Sequence, residues 1–117
     1  MTKNTHRAIN EFRRRLILRE KNKIDAIVLY GSFVKGGYHP KKSDIDIVVL
    51  SDDKSIDEDI LDIETAVSLK YGVVISALLA TQKELEASKK AGYLFSDEIF
   101  NGEVIYERGK RRNKISR

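Results

Sequence analysis

The sequence predicts an α+β domain, a small mixed β-sheet of three to four strands covered by helices on one side. Three observations carry that prediction. Apolar segments of helical period and of strand length follow one another in the order α, β, β, α, β, α, then a short helix and a fourth strand, without the strict alternation of a doubly wound sheet. Two of the helical segments are preceded by a Ser/Thr-x-x-Glu pattern that marks a helix start. At 117 residues the chain has the length of one domain with a sizeable core.

Each element has its own signal. The first helix is placed at residues 5–22, where Ile9, Phe12 and Leu16 share a face and Arg13, Arg14, Arg15 and Arg19 fall largely on others. Residues 25–30 form a short, nearly continuous apolar run that ends at Gly31 and reads as a strand. Residues 44–50, Asp-Ile-Asp-Ile-Val-Val-Leu, read as a second strand. Its alternation puts Asp44, Asp46 and Val48 on one face and Ile45, Ile47 and Val49 on the other. Ser55 and Glu58 are expected to form a capping box before the helical repeat Ile56, Ile60, Ile63 and Val67, which Gly72 stops. Val73–Leu79 is the third strand. Thr81 and Glu84 form a second box, opening a helix that ends near Gly92. Ser96 is expected to cap a short turn ending at Gly102, and Glu103–Glu107 a small edge strand. Residues 1–107 thus make a single domain, and residues 108–117 a basic flexible tail.

The net charge of +4 is unevenly spread. Residues 3–23 carry eight Lys/Arg and two acids, residues 108–117 six Lys/Arg and no acid, and the body between them has a net charge of −8. Basic ends of this kind are either solvated helix faces or contacts for nucleic acid or another acidic partner. The absence of cysteine excludes disulfides, thiolate metal sites and cysteine nucleophiles. No apolar stretch approaches the roughly 20 residues of a membrane span, and the N-terminus lacks the apolar core of a secretion signal. A cytoplasmic protein is the default reading. No Ser-His-Asp order or zinc-ligand spacing is present.

The chemistry concentrates in residues 30–46, Tyr-Gly-Ser-Phe-Val-Lys-Gly-Gly-Tyr-His-Pro-Lys-Lys-Ser-Asp-Ile-Asp. Gly31 lets the backbone turn closely after a strand, and the amides and hydroxyl at Ser32 can meet an anion. Lys35 lies one turn on, where it could neutralise a phosphate oxygen. Asp44 and Asp46, at i and i+2 on a strand, project from one face roughly 7 Å apart. They can reach one Mg²⁺ or bracket two, and their hard oxygens suit an ion that completes its shell with phosphate and water. Read singly these features are weak: most Gly-Ser pairs are turns, and most Asp-x-Asp pairs are a turn cap and a solvent-facing acid. Of the remaining candidates, Tyr38 could stack on a base, and His39 reads as an exposed turn residue.

Taken together, the strand, Gly31-Ser32, a spacer of eleven residues from Phe33 to Ser43, Asp44-Ile45-Asp46 and the second strand resemble the signature of the nucleotidyltransferase superfamily. The chain length and element order resemble its minimal nucleotidyltransferase group, over residues 5–107. The resemblance implies a polymerase-β-like palm fold in which Gly31 and Ser32 hold nucleotide phosphates and Asp44 and Asp46 hold Mg²⁺. It implies attack of an acceptor hydroxyl on the α-phosphorus of a nucleoside triphosphate, ATP before others, with loss of pyrophosphate. It also implies a small helical partner of the HEPN group, against which the chain would act as antitoxin. One departure stands out. Active members carry a third carboxylate on the next long strand, and the facing positions here are Val74 and Ser76. Two other readings therefore stand beside the enzyme: a binding module that neutralises a partner by contact, and a nucleic-acid-binding protein using its basic ends.

Overall fold

The structure, a computed structural model, describes residues 3–39 and 41–109. In chain order the elements are α1 (Lys3–Glu20), a 3₁₀ turn (Lys21–Lys23), β1 (Ala26–Tyr30), α2 (Ser32–Lys35) and β2 (Ile45–Leu50). A second 3₁₀ turn (Lys54–Ile56) leads into α3 (Asp57–Tyr71), followed by β3 (Ile75–Ala80), α4 (Gln82–Lys90), α5 (Leu94–Phe100) and β4 (Glu103–Glu107). The four strands form one mixed sheet in the order β3-β2-β1-β4, which agrees with the expected α+β class. β1 and β2 make an antiparallel hairpin in which Tyr30 pairs with Asp46 and Ala26 with Leu50. β2 and β3 run parallel, with Asp46 beside Ser76, and α3 supplies the crossover that parallel pairing requires.

The main core lies on one face of this sheet. Ile27, Leu29, Ile45, Ile47, Val49 and Ile75 meet Ala8, Ile9, Phe12 and Leu16 of α1 and Ile60, Ile63 and Val67 of α3, all of them buried. Full burial of each large apolar side chain contributes about 1.5–3 kcal/mol, so this face dominates stability. Helices were expected on one side only, yet the other face has its own smaller cover. Val28, Val48, Leu50 and Ala80 pack on Leu85 of α4 and Ile99 of α5. The cover is possible because Gly102 brings the chain down onto β1: a Cβ there would run into the Leu29 carbonyl oxygen and the Val28 side chain. It seats its buried residues toward the Leu50–Ala80 end, and leaves Val74, Ser76 and Leu78 exposed at the other.

Several local expectations shift. The Thr81–Glu84 box forms in both directions, the Glu84 amide donating to Thr81 Oγ1 (2.9 Å) and the Thr81 amide to Glu84 Oε1 (2.8 Å). The Ser55–Glu58 box does not form. A 3₁₀ turn intervenes before α3, and Asp53 caps that turn by accepting from the Ser55 amide (2.9 Å) and hydroxyl (2.5 Å). Ser96 lies inside α5 rather than at its start, its hydroxyl donating to the Tyr93 carbonyl (2.7 Å). Arg108, assigned to the tail, is tied down: its amide donates to the Asp25 carbonyl (2.9 Å) and its guanidinium pairs with the Asp25 carboxylate (2.6 Å). The rest of the expected tail, residues 110–117, lies outside the described residues. At the β3 edge, the Ile75 amide donates to Ser68 Oγ (3.0 Å) and the Ala77 amide to Glu64 Oε1 (2.8 Å), so α3 side chains close two edge donors to a further strand. No described helix is long and apolar enough to cross a membrane.

One polar cluster joins α1 to α3. Glu11 is 6% exposed; it accepts from Tyr71 Oη (2.6 Å) and from Lys70 Nζ (3.0 and 3.2 Å), and pairs with Arg15 (2.5 Å). The Tyr71 hydroxyl, then Lys70, hold its carboxyl down from 4.5 to about 2. A depressed carboxyl contributes stability that is complete above its unfolded value and is lost as pH falls through the folded one. Stability is therefore expected to decline between pH 4.5 and about 2 through Glu11. Glu11→Gln should lower the midpoint of urea unfolding at pH 7 and flatten that acid limb; an unchanged acid limb would contradict the assignment.

Candidate active site

The site grows from the end of β1. Gly31 has φ 76° and ψ −151°, a region open to glycine and costly for any other residue. The conformation reverses the chain so that α2, a single turn, starts at Ser32 beside the start of β2. Asp46, paired with Tyr30 across the hairpin, rests its carboxylate directly over the Gly31 Cα: a Cβ at Gly31 would overlap Asp46 Oδ2. The Val34 and Lys35 amides donate back to the Gly31 carbonyl (3.1 and 3.0 Å), which closes the turn and leaves the Ser32 and Phe33 amides at its opening. Phe33 anchors the loop, its ring standing edge-on to His6 (6.0 Å) and Tyr38 (5.4 Å). Tyr38 is thereby packed against the core cluster instead of being presented to a base. His39 is exposed in the next turn, as expected; its Nδ1 accepts from the Lys41 amide (3.3 Å).

Gly31, Ser32 and Asp46 therefore lie together at the Tyr30–Asp46 end of the hairpin, with Asp44 near enough for its charge to act on Asp46. Asp44 is exposed and immediately precedes β2; Asp46 is the second residue of that strand and is partly buried. Among the described residues, no ion pair or hydrogen bond occupies either carboxylate or the Ser32 hydroxyl. Burial raises the Asp46 carboxyl, and the neighbouring charges of Asp44 and Glu98 raise it further. Burial, then the charges of Asp46 and Glu98, push the Tyr30 hydroxyl up to about 12. This is a site with surplus negative charge, and a cation between the carboxylates would reverse it. Among the described residues no three Asp, Glu or His side chains converge to hold an ion. The two aspartates still fit Mg²⁺, which takes one or two carboxylates and fills its remaining positions with phosphate oxygens and water.

The third carboxylate is absent from the strand that should bear it. Ser76 lies beside Asp46 and Val74 is 55% exposed, so β3 presents a hydroxyl and an apolar side chain to the site. Lys35 is not aimed at the aspartates: its Nζ pairs with Glu98 Oε2 (3.1 Å). Glu98 and α5 were not identified as site elements from sequence. Phe95 and Ile99 at i and i+4 were the available signal for a packed helix, and Phe95 does stand edge-on to Tyr30 (5.5 Å). Between α2 and α5 a cavity of about 180 Å³ is lined by Gly31, Val34, Lys35, Leu94, Asp97 and Glu98 among others. Larger cavities lie elsewhere, about 600 Å³ along α1 beside Arg7 and Arg14, and about 510 Å³ under α4 and α5. Neither offers the paired carboxylates at a glycine turn, so donor chemistry rather than volume locates the site. The basic N-terminal segment is partly spent within the chain: Arg15 pairs with Glu11, Arg19 with Asp59, and Lys23 with Glu20 and Asp53.

The family model described as "Polymerase beta, Nucleotidyltransferase" matches residues 15–111, which include the whole of this loop and both aspartates. The chain belongs to the polymerase-β nucleotidyltransferase family. Two relatives from Methanocaldococcus jannaschii, both provisionally named protein adenylyltransferases, are similar across nearly their full lengths. One is 35% identical over 105 residues, covering 88% of this chain and 99% of the relative. The other is 30% identical over 96 residues, covering 80% and 89%. A solved structure from Sulfolobus solfataricus, provisionally titled a nucleotidyltransferase, covers 94% of this chain and 93% of its own at 20% identity and a TM-score of 0.41. The assignment to the nucleotidyltransferase family rests on the family model and the two sequence relatives.

Gly31 is the position on which this arrangement turns. Gly31→Ala imposes a backbone conformation that costs about 1–3 kcal/mol and drives Asp46 from its seat. Urea unfolding should report that destabilisation, and Mn²⁺ titration followed by electron paramagnetic resonance should show metal affinity reduced roughly tenfold, the equivalent of about 1.4 kcal/mol. Wild-type metal affinity in a folded Gly31→Ala variant would contradict the geometry.

Proposed function

We propose that this chain is a Mg²⁺-dependent adenylyltransferase that moves AMP from ATP to a hydroxyl of a partner protein. The observation that carries the reading is the Asp46 carboxylate held against the Gly31 turn, next to the Ser32 hydroxyl, with the Asp44 charge acting on it and neither carboxylate paired among the described residues. Family membership supplies the reaction class, and the names of the two archaeal relatives favour a protein as acceptor.

In this reading the Gly31–Ser32 turn binds the β- and γ-phosphates, while Asp44 and Asp46 would hold Mg²⁺. When bound there, the ion would supply charge neutralisation at the transferring phosphate. The acceptor oxygen forms a bond to the α-phosphorus, the bond to the α,β-bridging oxygen breaks, and pyrophosphate leaves with that electron pair. The hydroxyl proton passes to solvent at the open end of the sheet, where Ser76 is exposed and no side-chain base is presented by β3. Catalysis then comes from positioning and electrostatics, as in other phosphoryl-type transfers. The acceptor we favour is a small helical HEPN-type protein docked on the exposed side chains of Val74, Ser76 and Leu78.

The lack of an acid at Ser76 gives a specific basis for the alternative, a partner-binding module with a weakened site. Incubation with α-labelled ATP, Mg²⁺ and the partner separates the two. Transfer that drops a hundredfold or more in Asp44→Asn and Asp46→Asn, the scale of losing one electrostatic group, supports the enzyme. Neutralisation of the partner without label, unaffected by either substitution, supports contact alone.

A further inference from the structure

We propose that Glu98 is a positioning residue that holds Lys35 away from the phosphate turn, so that nucleotide binds only with its divalent cation. The inference rests on the nucleotide-binding reading above and adds a rule for which form of the nucleotide is admitted.

The geometry is specific. Lys35 ends α2, one turn beyond Gly31–Ser32, and is the cation nearest the proposed phosphate position along the chain. Its ammonium is already committed to Glu98 at 3.1 Å. Glu98 projects from α5, which is fixed in place by Ile99 in the second core cluster and by Phe95 against Tyr30. The acid side chain is only 25% exposed, against 61% for the lysine, so the rigid partner is the carboxylate and the movable one is the lysine. Asp97 lines the same small cavity, Asp46 rests against the Gly31 turn, and the Asp44 charge acts on Asp46. The turn is thus flanked by carboxylates, and the lysine that lines its cavity is paired.

A bare triphosphate approaching this ring meets surplus negative charge. It must displace Glu98 from Lys35, and the freed carboxylate then repels it. A triphosphate carrying Mg²⁺ brings the charge that Asp44 and Asp46 lack, and the exchange of Lys35 from Glu98 to phosphate no longer leaves the site overloaded. Glu98 is not assigned as a metal ligand, because no three acidic side chains converge on one point among the described residues.

The test measures the affinity of ATP for the full chain at low ionic strength, once in EDTA and once with Mg²⁺, in wild type, Glu98→Gln, Lys35→Gln and the double variant. Removing one charge near the phosphates should tighten metal-free ATP by roughly three- to tenfold, while Mg²⁺-ATP, whose charge the metal largely offsets, changes by less than about twofold. In the Lys35→Gln background the substitution should lose most of that gain, because its target is the lysine. A merely structural role for Glu98 would alter both forms of ATP alike. The same gain with and without Mg²⁺, no gain in EDTA, or a full gain without Lys35 would each overturn the proposal. If wild type binds neither form of ATP, the nucleotide-handling reading itself falls and this one with it.

Discussion

The structure depends on the close approach of the Asp46 carboxylate to a residue without a side chain. β1 ends at Gly31 with a positive φ, and the carboxylate of the paired strand occupies the volume a Cβ would fill. That approach fixes the glycine turn and the Asp46 carboxylate in one rigid unit. Neither could be moved without the other, because both are continuations of a hairpin whose opposite face is the main hydrophobic core. The scaffold thus places charge at the Tyr30–Asp46 end of the hairpin, where Asp44 and Ser76 are open to solvent.

The electrostatics follow from that placement. Asp46 is raised by burial and by Asp44, and Tyr30 beneath it is pushed up to about 12. A partly buried carboxylate with like-charged neighbours is unfavourable by itself and favours a divalent cation beside it. The lysine that might relieve it is held by α5 instead. Stability elsewhere, including the Glu11 cluster between α1 and α3, is built from groups whose charges are paired. The contrast between a paired scaffold and an unpaired site is what a functional assignment should look for.

Much of this was legible in the sequence because it is local. Gly31, Ser32, Asp44 and Asp46 lie within one hairpin, and period-two alternation places the two acids on one face whatever the rest of the chain does. Ser76 was named as a facing position from the resemblance, which puts a third carboxylate on the next long strand, and the parallel β2–β3 pairing does set Ser76 beside Asp46. The failures were of two kinds. At Ser55 two capping arrangements compete over three residues, and the Asp53 side chain reaches the backbone first by closing a 3₁₀ turn. At Glu98 the relevant contact joins residues 63 apart, and only the docking of α5 on the second face creates it. The second face was itself underestimated, because the residues it buries on α4 and α5, Leu85 and Ile99, are too few to give a strong periodic pattern.

The central claim is tested most directly by a crystal structure of the chain with Mg²⁺ and a non-hydrolysable ATP analogue. The account predicts a cation bound by Asp44 and Asp46, with the terminal phosphates against the Gly31–Ser32 amides. Nucleotide seated in the cavity along α1, or a cation held by groups other than these two aspartates, would contradict it.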